Sequence, residues 1–182
     1  MKERILDVAA QLMAKYGLRK FTVDEIAREL KISKKTIYQH FDSKEAIVRD
    51  YFDTALLSDQ KSVGEGLARS TTFAEKVHAT IYAEHDYCIP VPLIGEAKLF
   101  YPDIYEKIER CKQFKINTLN AIIKEAVAEG TVRSGIHISI LSALCEKVSD
   151  IVTDYDFLLA EKLSPHEAID ELVDIILKGI LN

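Results

Sequence analysis

The stretch that decides the fold is residues 21–52, FTVDEIARELKISKKTIYQHFDSKEAIVRDYF. Thr22 and Glu25 have the spacing of a capping box, which predicts the start of a short helix. Ser33 is a candidate N-cap for a second short helix, KKTIYQHF, in which Ile37 and Phe41 point to the core. Two short helices joined by a tight turn and supported by a third form a helix-turn-helix, whose second helix has the dimensions to enter a major groove.

The outward face of that second helix carries side chains that suit DNA. Lysine binds phosphate or guanine, threonine contacts base edges or the thymine methyl, glutamine pairs with adenine, and tyrosine and histidine bind phosphate oxygens. Thr22 and Ser33 begin helices, where backbone N–H groups and the helix dipole also favour phosphate. A polar face on an arbitrary short helix is more often simply solvated. The outward residues are Lys34, Lys35, Thr36, Tyr38, Gln39 and His40.

The sequence of residues 4–52 resembles the DNA-binding segment of the TetR family of repressors. The pattern A-x-x-L-x-x-x-x-G (Ala9, Leu12, Gly17) is followed by T-V-x-x-I-A and then by S-K-x-T-I-Y-x-H-F-x-S-K-E. The resemblance implies a dimeric repressor that a ligand releases from DNA. It also implies DNA contacts for Lys34, Lys35, Thr36, Tyr38, His40 and Lys44, with Thr22 at the phosphate-facing start of the second helix of the domain.

One position departs from the family pattern. The residue after Leu30 is usually glycine in that family, and here it is Lys31. If Lys31 adopts a positive φ, a lysine costs about 1 kcal/mol relative to glycine. This cost is too small to abolish the motif.

Charge is distributed unevenly along the 182 residues, although the net charge is only -5. Residues 1–50 carry 11 Lys and Arg against 8 Asp and Glu, a net of +3, so the other 132 residues carry -8. A mildly basic head on an acidic body is typical of a protein whose N-terminal part alone meets phosphate. Chance scatter of solvated charges would give a difference of similar size.

Composition points to a cytoplasmic, cofactor-free protein. No apolar run approaches the ~20 residues of a membrane span, and Glu3 and Asp7 interrupt the segment where a signal peptide would be apolar. Cys88, Cys111 and Cys145 form no CxxC pair, which favours reduced thiols over disulfides or a metal site. No GxSxG, HExxH, P-loop or GxGxxG motif is present, so we expect no enzyme and no cofactor.

Helical spacing of apolar residues continues to the end of the chain, which predicts an all-α fold. The first helix is expected over about Glu3–Tyr16, and a long helix from about residue 43, opened by Asp42 and Glu45, is expected to fray in SDQKSVGEG at 58–66. We therefore predict a three-helix helix-turn-helix head, 1–50, and a larger helical ligand-binding and dimerisation body, 51–182.

The body is expected to contain four further helices. Thr72 and Glu75 begin one that reaches about Tyr87, and the prolines of CIPVPLIGE, 88–96, break regular structure. Helices follow over Pro102–Glu129, about 136–159 and about 165–181. The last begins with Ser164-Pro165-His166-Glu167, which combines an N-cap, an N1 proline and an N3 glutamate.

Aromatic and soft side chains cluster in the first half of the body. Core packing explains such residues more often than a cavity does, yet several tyrosines on facing helices are typical of an amphipathic ligand site. Two of the histidines have helical spacing that suits a metal or an acidic ligand, although a solvated role is commoner. The predicted inducer pocket consists of His78, Tyr82, His85, Tyr87, Phe100, Tyr101, Tyr105 and Cys111.

The final two predicted helices are apolar over a wide face, which favours burial on more than one side. Internal core would absorb such faces, but in TetR-like proteins the corresponding pair forms a four-helix bundle with its two-fold mate. We therefore predict a homodimer. Its interface is expected to contain Leu141, Leu144, Val148, Ile151, Val152, Leu172, Val173, Ile176 and Ile180.

Three functions remain open from the sequence. The first is a repressor of palindromic operator DNA that an unidentified small-molecule inducer releases. The second is a regulator, activator or repressor, that a protein partner controls. The third is a helical carrier or enzyme whose head serves protein interaction; it would lack salt-sensitive affinity for DNA.

Overall fold

The computed structural model describes residues 1–81, 89–133, 135–151 and 154–180. Within these ranges the chain forms helices and no strand, which confirms the predicted all-α fold. No helix among them is long and apolar enough to cross a membrane. The helices are α1 Lys2–Lys20, α2 Val23–Leu30, α3 Lys34–Tyr38, α4 Lys44–Arg69, α5 Phe73–Ile81, α6 Val91–Phe100, α7 Pro102–Ala128, α8 Ile138–Ile151, α9 Tyr155–Glu161 and α10 Pro165–Ile180.

The chain divides into two compact units. The first unit is Met1–Ser58 with Asp86–Ile108, and the second is Asp59–His85 with Glu109–Asn182. The first unit therefore contains more than the predicted head, because α6 and the start of α7 pack with the N-terminal helices. The predicted border at residue 50 stays a functional prediction.

The core of the first unit is built from the apolar faces that the helical spacing indicates. α1 packs against α2 and α6, and α2 packs against α3. Burying such side chains stabilises the unit by about 1.5–3 kcal/mol each. The largest fully buried side chains of this core are Ile5, Met13, Leu18, Phe21, Ile26, Ile37, Ile47, Phe52, Leu93 and Ile104.

Gly17 interrupts α1 with φ +84, which confirms that the first regular stretch ends there. The carboxylate of Glu96, on α6, accepts a hydrogen bond from the Leu18 backbone N–H at 2.8 Å. A Cβ at position 17 would lie 2.3 Å from Glu96 Oε1. Glycine is required here for its backbone conformation and for the close approach of this carboxylate.

Three of the four predicted capping boxes are present; the exception is Asp42 with Glu45. The backbone N–H of Glu25 donates to Thr22 Oγ1 at 3.2 Å, and the Thr22 N–H donates to the Glu25 carboxylate at 2.8 Å. Thr72 with Glu75 and Ser164 with Glu167 make the same reciprocal bonds. Hydrogen bonds from the backbone N–H and hydroxyl of Thr71, together with the Thr72 N–H, lower the pKa of the Glu75 carboxyl group. The Ser164 N–H and hydroxyl lower the pKa of Glu167 in the same way, because donors stabilise the ionised form.

α4 begins near the predicted residue 43, but its predicted cap and its predicted fraying at 58–66 are wrong. Its N-terminal cap is Ser43, whose hydroxyl accepts from the Ala46 N–H at 3.0 Å, rather than Asp42. The helix also continues through 58–66 instead of fraying there. Val63 is fully buried, and Gly66 lies so close to α5 that a Cβ would be 2.9 Å from the Ala79 methyl. Packing against α5 therefore outweighs the poor helix propensity of glycine.

Two other boundaries differ from prediction. α6 occupies residues that were expected to be irregular, because Pro92 falls in its first turn, where no intrahelical N–H donor is needed. The helix expected over 136–159 is divided into α8 and α9. Asp154 begins α9 by accepting from the Phe157 N–H at 3.0 Å. α7 ends as predicted, with Gly130 at φ +78 two residues after Ala128.

The second unit has its own core, formed by α5, α7, α8 and α10. Its fully or nearly buried members include Val77, Ile123, Leu141, Val173 and Ile180. A polar group is enclosed beside them: Cys111 donates from Sγ to Asp59 Oδ2 at 3.2 Å, and Lys115 donates to Asp59 Oδ1 at 2.7 Å.

Candidate nucleic-acid interface

Helix α3 is held in place by one buried side chain and one cap. Ile37 is fully buried, and the Ser33 hydroxyl accepts from the Thr36 backbone N–H at 3.1 Å. The turn from α2 into α3 contains Lys31 in the left-handed conformation, with φ +54 and ψ +42. The lysine thus adopts the backbone geometry that a glycine would adopt without strain.

The other side of α3 faces solvent. Lys34, Lys35, Gln39 and His40 are exposed, and Tyr38 keeps 49% of its surface accessible. α3 ends at Tyr38, earlier than the predicted helix KKTIYQHF, so Gln39 and His40 lie in the turn that follows it. An exposed row of donors and one phenol is suited to phosphate oxygens and base edges.

Thr36 and Thr22 are partly committed to their own helices. Thr36 Oγ1 shares a hydrogen bond with Ser33 Oγ at 2.9 Å, and its side chain is half-buried. Thr22 is exposed, but its hydroxyl and N–H both bond the Glu25 carboxylate. A phosphate at the start of α2 would therefore share the site with a carboxylate.

Lys34 is paired across the motif with a residue that the sequence analysis did not single out. Its Nζ lies 2.7 Å from Asp24 Oδ1 in α2, and both side chains are more than half exposed. The hydrogen bond to Asp24 raises the pKa of Lys34, so the ammonium form is favoured. The feature of the sequence that could have identified Asp24 is its position in the first turn of α2.

Lys44, at the start of α4, is tied to the end of α1. Its amine donates to the Arg19 carbonyl at 2.7 Å and lies 4.4 Å from the centre of the Phe21 ring. Partial burial lowers the pKa of Lys44. A phosphate bound here would be an additional partner for the Lys44 amine, which already donates to a carbonyl near the C-terminus of α1.

The residues predicted to form the inducer pocket belong to both units. Phe100, Tyr101 and Tyr105 belong to the first unit, and Phe100 lies under the Arg19 guanidinium, 4.7 Å from the ring centre. In the second unit, His78 is exposed with its Nε2 3.7 Å from Asp170, and Cys111 is buried on Asp59. The pocket stays a prediction. Tyr82, His85 and Tyr87 lie outside the described residues.

The predicted dimer residues fall into two groups. Leu141, Val173 and Ile180 lie in the core of the second unit and are not free to meet a partner. Leu144 and Ile151 are exposed, whereas Val148, Leu172 and Ile176 are half-buried. Val152 lies outside the described residues. Within the described ranges, no group of three or more His, Cys, Asp or Glu side chains is placed to hold a metal ion.

Comparison with known proteins bears on the segment that forms this surface. Residues 5–51 match the sequence profile of the family "Bacterial regulatory proteins, tetR family". The HTH-type transcriptional repressor KstR2 of Rhodococcus jostii is 28% identical over 152 residues, which cover 76% of this chain and 71% of that protein.

Solved structures share the fold along the whole chain. A transcriptional regulator of the TetR family from Agrobacterium tumefaciens aligns with a TM-score of 0.76 at 18% identity, over 100% of this chain and 97% of that one. The regulator FadR of Bacillus subtilis, solved with stearoyl-CoA, aligns with a TM-score of 0.68 at 19% identity, over 99% and 100% of the two chains. The all-helical fold beyond the helix-turn-helix is therefore shared with these two solved structures.

Proposed function

Because residues 5–51 make this chain a member of the tetR family of bacterial regulatory proteins, we propose that it is a ligand-responsive transcriptional repressor that binds palindromic operator DNA as a homodimer. The observation that carries the proposal is the exposed surface of α3 and of the turn after it. Lys34, Lys35, Tyr38, Gln39 and His40 are exposed there, and buried Ile37 anchors the helix. The proposed DNA partner implies a cytoplasmic location and a role in binding rather than catalysis.

The roles of the surface residues divide by chemistry and position. Tyr38 and Lys44 are proposed to hold phosphates and so to set the register of the protein on DNA. Lys34 and Thr36, at the front of α3, are proposed to contact bases, since the N-terminal residues of a recognition helix reach the base edges. Thr22, Ser33, Lys35, Gln39 and His40 complete the proposed contact surface.

A dimer supplies what one short helix lacks. A single α3 covers too few base pairs to specify a site, and two copies related by a two-fold axis would bind successive major grooves of a near-palindrome. The exposed apolar side chains of α8 support self-association through this helix.

The proposal that a ligand releases this protein from DNA is based on a structurally similar regulator that binds a small molecule. FadR is solved with stearoyl-CoA, and an amphipathic small molecule also suits the aromatic residues predicted to line the inducer site. The ligand must favour the released state: shifting a 1:99 balance to 99:1 takes about 5.5 kcal/mol of differential affinity.

Selection of bound sequences from random duplex DNA tests the function, followed by titration of the selected site at several salt concentrations. We expect a near-palindromic site. Lys44→Ala should weaken binding to all sequences and flatten the salt dependence by about one unit of slope, whereas Thr36→Ala should cost about 1–3 kcal/mol and relax the preference at particular base pairs. Thermal melting of each variant checks that the fold is retained.

Two results would contradict the proposal. One is a wild-type protein that prefers no sequence over random duplex. The other is unchanged operator affinity in both Tyr38→Ala and Lys44→Ala at physiological salt.

A further inference from the structure

We propose that Asp24 and Lys34 act together to recognise one guanine–cytosine base pair in each half of the operator, with Lys34 bound to the guanine and Asp24 to the cytosine. This inference rests on the proposed function and specifies part of the sequence that it binds. It adds Asp24 of α2 to the interface, although its negative charge is opposite to the charge expected of a surface that binds DNA.

The pair stands at the exposed junction of α2 and α3. Lys34 is the first residue of α3, the end from which a recognition helix reaches base edges. Asp24 is the second residue of α2, and its side chain is exposed although Val23, Ile26 and Ala27 of the same helix are buried. Lys34 Nζ and Asp24 Oδ1 are 2.7 Å apart, with side-chain exposures of 53% and 68%.

The hydrogen-bonding capacity of the pair matches guanine–cytosine best in the major groove, because adenine presents only one acceptor, N7, beside its N6 donor. The Lys34 ammonium has three N–H donors, and the bond to Asp24 uses one of them. Guanine presents the acceptors N7 and O6, and its partner cytosine presents the N4 amino donor beside them. A lysine donor held against a carboxylate acceptor is complementary to that arrangement of acceptors and donor.

Asp24 lies in the first turn of α2, where a carboxylate interacts favourably with the helix dipole, but that effect does not require its contact with Lys34. An exposed ion pair adds little stability, since solvent screens it. On a surface that meets DNA, Asp24 repels phosphates and occupies an amine that would otherwise bind them. It therefore lowers affinity for every sequence except those that offer a hydrogen-bond donor at this position, which is how specificity is gained at the expense of affinity.

The test compares wild type with Asp24→Asn, Lys34→Ala and the double variant in selections from random duplex DNA with the full chain. Glu29→Gln is the matched control. It removes one negative charge from an exposed position of the same helix, and Glu29 interacts with Lys15 of α1. Thermal melting verifies that each variant folds.

We expect wild type to require guanine–cytosine at one position of each half-site by about tenfold or more. Asp24→Asn should relax that position alone, because the amide can donate to a base as well as accept from one. It should also raise affinity for random duplex several-fold and steepen the salt dependence by about one unit, because Lys34 becomes free for phosphate. Lys34→Ala should relax the same position, and the double variant should relax it no further.

The outcomes separate this inference from the proposed function. If wild type selects a site and Asp24→Asn leaves every position unchanged, or behaves like Glu29→Gln, the pair does not recognise a base pair and only this inference falls. If Asp24→Asn and Lys34→Ala relax different positions, the two residues act separately and the inference is also wrong. A wild type with no preferred site overturns both.

Discussion

At the scale of single residues, Lys31 occupies a strained left-handed backbone conformation inside the helix-turn-helix. It ends α2 with its N–H bonded to the Arg28 carbonyl, at a φ of +54 that L-residues seldom adopt. Its side chain is exposed, so a replacement loses little packing. The conformation is set by the turn into α3 rather than by the residue that occupies it.

Lys31→Gly should therefore stabilise the protein by about 1 kcal/mol. Glycine adopts a left-handed conformation without the Cβ clash, which outweighs the entropy that glycine adds to the unfolded chain. Denaturant unfolding measures the change. Lys20→Gly, at the helical end of α1 with ordinary φ, is the control and should destabilise. Equal losses in the two variants would contradict the argument.

Cys111 is a residue whose surroundings change its acidity. Burial, with Asp59 beside it, raises the pKa of the thiol to about 12. In the unfolded chain the thiol ionises near pH 9, and in the folded protein it stays protonated to about pH 12. Between these values the unfolded state binds fewer protons, so stability falls as pH rises.

The free energy of unfolding should thus decline more steeply in wild type than in Cys111→Ser between pH 9 and pH 11, by at most about 1.4 kcal/mol per pH unit. Serine keeps a donor for Asp59 but does not ionise in this range. Other titrating groups are common to both proteins and contribute equally. Parallel stability curves would show that the Cys111 thiol is not protected from ionisation.

At the scale of elements, α6 joins the helix-turn-helix through a backbone contact. The Glu96 carboxylate takes the Leu18 N–H that the break at Gly17 leaves without a helical partner. Arg19, the next residue, covers Phe100 on α6 and offers its carbonyl to Lys44 on α4. The end of α1 is thereby fixed by two other helices of the same unit.

A double-mutant cycle tests this junction. Gly17→Ala should destabilise by more than about 1 kcal/mol, because it adds strain at a positive φ and a clash with Glu96. In a Glu96→Ala background the clash is absent, so the cost of Gly17→Ala should fall to the backbone strain alone. Urea unfolding of the four proteins supplies the cycle. Strict additivity would mean that the two residues do not meet.

At the scale of the whole molecule, α8 carries the exposed apolar stripe that self-association would cover. Ile140, Leu144 and Ile151 are 69%, 49% and 39% exposed, at spacings that keep them on one side of the helix. Ile175 on α10 is 59% exposed. Contiguous exposed apolar surface of this kind marks interaction sites in soluble proteins.

Leu144→Asp with Ile151→Asp should convert a dimer into a monomer at micromolar concentration and abolish tight operator binding, since buried, unpaired charge at an interface is costly. Sedimentation measures the mass. Leu57→Asp, at a residue of α4 that is 66% exposed, is the control and should leave the dimer intact. A monomeric wild type would refute self-association, and a dimeric double variant would place it elsewhere.

Local sequence determined the helix starts and stops of this protein. The pairs Thr22 with Glu25, Thr72 with Glu75 and Ser164 with Glu167 make their bonds between residues three apart, so the spacing alone predicts them. The same holds for the buried faces of the short helices, which follow from periodicity within a few turns.

Tertiary structure decided whatever depends on distant residues meeting. α4 passes through a glycine-containing stretch because Gly66 fits against Ala79, and Glu96 reaches Leu18 across 78 positions of sequence. The pairing of Asp24 with Lys34, and the burial of Leu141 and Val173 in the core of the second unit rather than on an outer seam, likewise depend on how helices pack. A periodic pattern indicates that a face is covered, but packing geometry determines what covers it.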